Sequence, residues 1–344
     1  MKVATVHSRL FAPWVEPIVQ DLVSAAKSIG REIESLVLED LVPVYRARDD
    51  IERLYVLPCV APAGRKVPEL VRLRLPNARP FISFEVQDLC WNKIATQRRL
   101  LERGVATPDT LLTDHGQEVA AFVKRHTYAI LKEPEGCAGG GHWVLWYEDD
   151  TLMADNGYAA YRLVLDVPPP ARVAEQELLC PPPYYVQRLV GTFTRYGFEI
   201  GQVLRAYVVE EEIPFWSERY REHYRRPGDW ILNVARGARY RFVLSVSEET
   251  KTAALRAARA VGARIAAVDL VRTSADGPLA LEVNTDGYHM CIDRSFKHLP
   301  EYREYFDFDR YVARALVAEE AAGGVRSLRP RTAPRPAARG KRPR

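Results

Sequence analysis

The 344-residue chain is marked first by what it lacks. No run of about eighteen apolar residues occurs, so no membrane-spanning helix is expected. The N-terminal stretch MKVATVHSRLFAPWV has no continuous apolar core of the kind a secretory leader needs. The five cysteines (Cys59, Cys90, Cys137, Cys180 and Cys291) are odd in number, scattered and without C-x-x-C spacing. That argues against a disulfide framework or a zinc cage and for free thiols in a reducing, cytoplasmic setting. No G-x-G-x-x-G follows the first strand pattern, and no G-K-[ST] closes a glycine loop. H-R-D and D-F-G triplets are also absent. A dinucleotide fingerprint, a P-loop and a protein kinase are thereby set aside. Acid is missing from the last stretch, Arg326 to Arg344, which carries eight basic residues. Removing those eight cations from a net charge of +4 leaves the remaining chain at −4. This Pro-, Ala- and Arg-rich tail (323–344) is expected to be disordered, and it is the one segment suited to nucleic acid or an acidic partner.

What is present reads as an ordinary globular chain, 47% hydrophobic and 27% charged, long enough for two or three domains. KVATVH (2–7), a helical pattern over Trp14 to Ile29, and strands at 34–41 and 53–57 suggest an α/β unit with a parallel sheet. A basic amphipathic helix is expected over 89–103, closed by Gly104. Next come a helix at 116–125, strands at 128–132 and 142–147, a polar connection over 149–173 and a strand at 184–190. Further on, a hairpin at 201–215 leads into an Arg- and Tyr-rich insert, 216–230, expected to be a loop. A strand at 239–246, a helix at 248–261 and a final helix over 301–321 complete the pattern. The expected units are 1–104, 105–190, 191–322 and the tail.

Two stretches carry chemistry. AAVDLVRTSADGPLALEVN (266–284) reads as a hairpin turning at Asp276-Gly277-Pro278. Strand alternation puts Glu282 and Asn284 on one face, where Asp269 can join them from the partner strand. Two carboxylates and an amide oxygen form a hard donor set suited to Mg²⁺, which takes its remaining ligands from phosphates and water. Taken alone, the same residues also read as two solvated acids beside a turn. The second stretch is Glu135 to Gly141, EGCAGGG, between two strands with Lys132 just before it. Glycines let backbone N–H groups approach a polyphosphate, and a lysine adds a point charge. Taken alone it also reads as a surface hairpin.

Together, in this order, the lysine, glycine loop and D…E-x-N hairpin resemble the ATP-grasp superfamily, most closely its RimK-like carboxylate–amine ligase branch, from about Leu89 to Phe296. The resemblance implies an α/β fold with α+β character in the lid: a Rossmann-like N-terminal domain, a small lid and a central sheet domain. It implies that Lys93, Lys132, Gly139, Gly140 and Gly141 hold ATP phosphates, and that the hinge Gln187, Arg188, Leu189 and Val190 receives adenine. Arg205, Asn233 and Arg236 fall at the acyl-transfer site. Asp269, Glu282 and Asn284 fall at the ligands of two Mg²⁺ ions, with Mn²⁺ as the alternative. Departures lie near the substrate. Arg188 stands at a usual acid, Leu204 replaces the acid before Arg205, Glu199 is a weak ribose candidate, and the turn after Asn284 is TDGYHM. His7, His142 and His289 receive no role.

The implied reaction joins a small-molecule carboxylate, or a peptide, to an amine through an acyl-phosphate, releasing ADP and phosphate. An ATP-grasp phosphotransferase and a non-catalytic nucleotide- or nucleic-acid-binding protein are the alternatives. Homo-oligomerisation stays open. The insert RYREHYRR (219–226) is a candidate for binding an acidic substrate, its alternative being a solvated charged loop.

Overall fold

The computed structural model describes residues 1–9, 12–42, 47–57, 67–135, 141–162, 182–194, 197–233, 236–285 and 308–318. The N-terminal unit is built on strands β1 (Val3–His7), β2 (Ile33–Val37), β3 (Arg53–Val56) and β4 (Arg79–Pro80). They pair in parallel in the order β2-β1-β3-β4. β1 and β3 are buried throughout, as strands covered on both faces must be. Helix α1 (Ala12–Ser28) covers one face with Val15, Ile18, Val19, Leu22 and Ala26. The same core takes in α8 (Phe308–Val317), through Phe308, Val312 and Leu316, and also Tyr207 and Phe215 of the central sheet. Arg53 fixes this joint. Its guanidinium donates to the carbonyls of Leu316 (2.8 Å) and Ala318 (2.7 Å), groups that a helix end leaves unsatisfied.

The strand expected over 34–41 stops at Val37, and Leu38–Leu41 turns into a short helix, α2. Helix α3 (Val67–Arg74) follows. The single helix expected over 89–103 is two: α4 (Phe84–Trp91) and α5 (Lys93–Glu102). Asn92, in an extended conformation, ends α4 and caps α5 by accepting from the Ala95 amide at 2.9 Å.

A six-stranded antiparallel sheet follows, ordered β5-β10-β6-β7-β8-β9. Its strands are β5 (Thr110–Thr113), β6 (Tyr128–Lys132), β7 (His142–Glu148), β8 (Thr151–Asp155), β9 (Ala160–Arg162) and β10 (Tyr184–Arg188). Helix α6 (Gly116–His126) packs Val119, Phe122 and Val123 on one face, against Ala129, Leu131, Leu145 and Val186. Alternation sends Ile130, Lys132, His142, Val144, Tyr185 and Gln187 to the other face. The expected polar connection over 149–173 begins instead as β8 and β9, and 163–173 lies outside the described residues.

After the small pair β11 (Gly191–Thr194) and β12 (Gly197–Ile200), five strands form the central antiparallel sheet. These are β13 (Gln202–Val209), β14 (Glu212–Tyr220), β15 (Arg239–Phe242), β16 (Ile265–Thr273) and β17 (Gly277–Asn284), in the order β15-β14-β13-β16-β17. Helix α7 (Glu248–Val261) covers one face with Ala254, Ala257, Ala258 and Val261 against Leu204, Ala206, Val268 and Ala280. Its alanines let the helix lie close to the sheet. Gly262 closes it in the left-handed conformation, φ +80°. The insert expected to be a loop from 216 is strand as far as Tyr220, because Arg219 and Tyr220 pair with Tyr240 and Arg239. Of the final helix expected over 301–321, 308–317 is helical; 301–307, 319–321 and the basic tail lie outside the described residues. Among the described residues no helix is long and apolar enough to cross a membrane.

Candidate functional site

The central sheet carries Arg205 and Asp269 on the face opposite α7, and the six-stranded sheet carries Lys132 and His142 on the face opposite α6; Arg226 to Asp155 and Arg236 to the His142 carbonyl link the two units. On the central side, Asp269 lies opposite Arg205 on β13 and opposite Glu282 on β17. The second pairing depends on a bulge. Leu270 pairs with Ala280, whereas Asp269 pairs with Glu282, so one extra residue is taken up at Leu281. Without it Leu281 would face Asp269, and Glu282 and Asn284 would turn toward α7, since a one-residue slip inverts a strand's faces. The bulge brings Asp269, Glu282 and Asn284 onto one face.

Asp269 is only 2% exposed and is clamped. Arg205 donates to both its oxygens (2.6 and 2.7 Å), and Arg219 adds a bond at 2.7 Å. Burial alone would raise its carboxyl pKa; the two guanidiniums outweigh burial and hold it below the usual value. Arg219 also donates to the Leu232 carbonyl at 3.4 Å, tying the segment that carries Asn233 to the site. Glu282 is half-buried and makes no ion pair or hydrogen bond with the described residues. The Asn284 amide nitrogen donates to the Ala267 carbonyl at 3.4 Å.

On the facing sheet, Lys132 is 6% exposed and donates to the Gln187 side-chain oxygen. Gln187 donates in turn to Thr110 (3.2 Å) and Gln97 (3.3 Å), and Gln97 donates to Thr107 at 2.6 Å. This buried relay holds the hinge strand, β5 and α5 together. Burial pulls the Lys132 ammonium down to about 8, against Glu282, which raises it; Lys93 lowers it further and Asp269 opposes. The lysine of one sheet therefore sits in the field of the carboxylates of the other. Lys93 begins α5, and its amide donates to the Pro134 carbonyl at 2.9 Å, which puts it at the end of the strand carrying Lys132. Gly141 closes the β6–β7 hairpin at φ +65°, its carbonyl accepting from Glu133 at 3.1 Å. Gly139 and Gly140 lie outside the described residues.

Leu189 and Val190, expected at a hinge, are buried, and Arg188 binds Asp276 in the hairpin turn (2.8 Å). Glu199 is exposed on β12. Arg236 donates to the carbonyls of Asn156 and His142 and lies 5.6 Å from the Tyr158 ring centroid. Burial lowers its pKa. Thr285 is buried beside Asn284, and the turn 286–290 with His289 lies outside the described residues.

The arginines of 219–226 are largely committed within the chain. Arg219 holds Asp269, Arg221 donates to the Arg236 carbonyl, and Arg226 forms a bidentate pair with Asp155 (2.7 and 2.7 Å). Asp155, 1% exposed, also accepts from the Gly157 amide at 2.7 Å. Alongside, Gly228 and Gly157 touch backbone to backbone; a Cβ at 228 would lie 2.0 Å from the Gly157 nitrogen. Trp230 packs edge-on against Tyr128, ring centroids 4.9 Å apart. The insert thus latches the two sheets together, leaving Arg225 as its least committed arginine. The sequence places Arg219 in a charged insert with a candidate role toward an acidic substrate; the structure places it in strand through pairing with β15 and turns it onto Asp269.

The oxygen-only set of Asp269, Glu282 and Asn284 fits a hard cation. Among the described residues no three His, Cys, Asp or Glu side chains converge into an all-protein cage.

Residues 197–297 match the family model of the RimK-like ATP-grasp domain. An 85-residue stretch is 34% identical to a probable alpha-L-glutamate ligase 1 of Hahella chejuensis (strain KCTC 2396), covering 25% of this chain and 26% of that protein. The chain thus spans about a quarter of that relative's length. The ATP-grasp ligase PsnB complexed with minimal precursor superimposes with a TM-score of 0.60 at 16% identity, over 92% of this chain and 98% of that one. A Chryseobacterium gregarium RiPP-associated ATP-grasp ligase, in complex with ADP and a leader and core peptide, gives a TM-score of 0.60 at 14% identity, over 92% and 96%. At these identities the likeness shows the fold, which is that of the ATP-grasp proteins.

Proposed function

We propose that this ATP-grasp chain, with its RimK-like domain at 197–297, is an ATP-dependent carboxylate–amine ligase. The observation that carries the reading is the set of Asp269, Glu282 and Asn284 on one strand face, with the buried Lys132 of the other sheet in the field of its carboxylates. A cleft with cations on one wall and hard oxygen donors on the facing wall suits a metal-bound polyphosphate. Lys132 and Lys93 bind the phosphates, Gly141 and its neighbours close over them, and the backbone of 187–190 receives the base. Asp269, Glu282 and Asn284 would hold Mg²⁺, as two ions. When bound, Mg²⁺ supplies charge neutralisation at the β- and γ-phosphates.

A substrate carboxylate takes the γ-phosphoryl group, giving an acyl-phosphate and ADP. An amine then attacks the acyl carbon, and phosphate leaves with the C–O bond electrons. Phosphoryl transfer of this kind rests on positioning and charge stabilisation. Arg205 is already paired with Asp269, so it is positioned to follow charge between that carboxylate and the transferring group. Arg236, next to Asn156 and His142, faces the acyl side, where a cation stabilises a tetrahedral oxyanion. The latched insert excludes water from the acyl-phosphate. The substrates are a carboxylate and an amine, small or within a peptide; relatives named as glutamate ligases and neighbours holding precursor peptides support both forms. The scattered cysteines suit a reducing, cytoplasmic setting.

The test is ADP release with Mg²⁺ and ATP, against amino acids singly and in pairs and against peptides. Release that requires both an acid and an amine, with amide formed in equal amount, supports the reading. ADP formed with a phosphorylated acceptor and no amide would assign a phosphotransferase instead.

A further inference from the structure

His142 opens β7, directly opposite Lys132 on β6, so both side chains point from the same face into the cleft. Its Nε2 is shielded from solvent and has no hydrogen-bond partner among the described residues. Its own carbonyl accepts from Arg236 at 3.4 Å, which fixes the strand end against the acyl-side arginine. The charged groups that bear most on the ring are cations: Lys132 from β6, Lys93 from α5, Arg236 from the loop after Trp230 and Arg219 from β14. Tyr185, on β10 across from Lys132, has its phenol pushed up by burial and stays neutral. The carboxylates Glu282 and Asp269 raise Lys132. Glu133 lies over the Gly141 backbone at the mouth of the hairpin. A buried, unpartnered ring nitrogen encircled by cations is a costly arrangement unless an anion completes it.

We propose that His142 is a polyphosphate ligand that becomes charged when the anion arrives: the imidazole takes a proton from solvent, and its Nε2–H donates to a phosphate oxygen. The inference rests on the ATP-dependent reading and adds to it a proton-coupled contact. Without nucleotide, burial first and then the four cations hold the ring well below its ordinary value, so it is neutral near pH 7. A bound polyanion offsets those cations and raises the bound-state value above the free one. Binding then takes up a proton between the two values, and affinity increases as pH falls through that window. Lys132 contributes no uptake there, because its value of about 8 leaves it charged below neutrality. The two groups therefore separate by pH.

The experiment is calorimetric titration of the full chain with MgADP at about pH 6.5, near the intrinsic value of histidine, in buffers of different ionisation enthalpy. Wild type should take up as much as about one proton per nucleotide, with affinity changing by up to about tenfold per pH unit. His142→Gln, which keeps an N–H donor that does not titrate, should lose the uptake and flatten the slope while still binding. Imidazole nitrogen NMR on unmutated protein provides a readout independent of folding: one histidine should pass from neutral to charged on adding MgADP, and that signal should be missing in His142→Gln. Equal proton uptake in both proteins, or no histidine changing state while nucleotide binds, overturns the His142 assignment and leaves the ligase reading standing. Failure of wild type to bind MgADP overturns both.

Discussion

Replacing Asp269 by Asn and Glu282 by Gln should have sharply different effects on stability, although both remove a carboxylate from the same face. Asp269 is the buried counter-ion of two guanidiniums, with three bonds of 2.6 to 2.7 Å. An Asn there keeps one oxygen acceptor but leaves two poorly solvated arginines without a balancing charge. Removing one partner of a buried pair destabilises by about 3–5 kcal/mol, and the retained acceptor puts Asp269→Asn near the low end. Glu282 has no ion pair among the described residues, so Glu282→Gln should stay within about 0.5 kcal/mol, as for a substitution that breaks no contact. In urea, with a slope of about 1–3 kcal/mol per molar, the Asp269→Asn midpoint should fall by about 1 M or more. The pH dependence gives a second signature. The folded-state pKa of Asp269 is depressed, so its contribution is present above the unfolded value of about 3.9 and lost as pH falls through the lower folded value. Wild type should lose that increment in acid, whereas Asp269→Asn has none to lose. Equal midpoints for the two variants at neutral pH would refute the clamp. Tryptophan fluorescence in a urea series at two pH values suffices.

Other outcomes follow from the latch and the cationic wall. Asp155→Asn should speed amide exchange in 155–159 and 226–230 by about tenfold or more, the equivalent of about 1–3 kcal/mol for a broken charged hydrogen bond; unchanged exchange would remove the latch. Gly228→Ala should loosen the same segments by about 1–3 kcal/mol, since a Cβ collides with the Gly157 backbone rather than with a yielding side chain. Lys132→Met should weaken MgADP binding by about ten- to a hundredfold, the range for one charge-assisted contact. In wild type that affinity should fall as pH rises through about 8, where the free lysine loses its proton, and the fall should be absent in the Met variant.

Much of this geometry is written in strand alternation. Glu282, Asn284 and Asp269 were legible as neighbours because alternation and a D-G-P turn define a hairpin, yet the bulge that brings them into phase was not. Nothing in LALEVN marks Leu281 as the extra residue, because the bulge arises from pairing with β16. Arg219 was hidden for the opposite reason. A run of Arg, Tyr and Glu reads as solvent-facing, but β15 supplies the pairing and Asp269 the counter-charge that make it strand. Asn92 broke a helix that apolar spacing alone carries through, since one residue serves as C-cap and N-cap. The latch joins residues 71 positions apart, Asp155 and Arg226, and no local pattern announces it.

ATP spent to join an acid to an amine leaves a distinct trace in single-turnover reaction with γ-labelled ATP, Mg²⁺ and an acid–amine pair found active in the release panel. Label should pass to the acid to give a species trapped by hydroxylamine as a hydroxamate, followed by amide and free phosphate in equal amount, with both absent in Glu282→Gln. Amide formed with AMP and pyrophosphate, or a rate in Glu282→Gln equal to wild type, would contradict it.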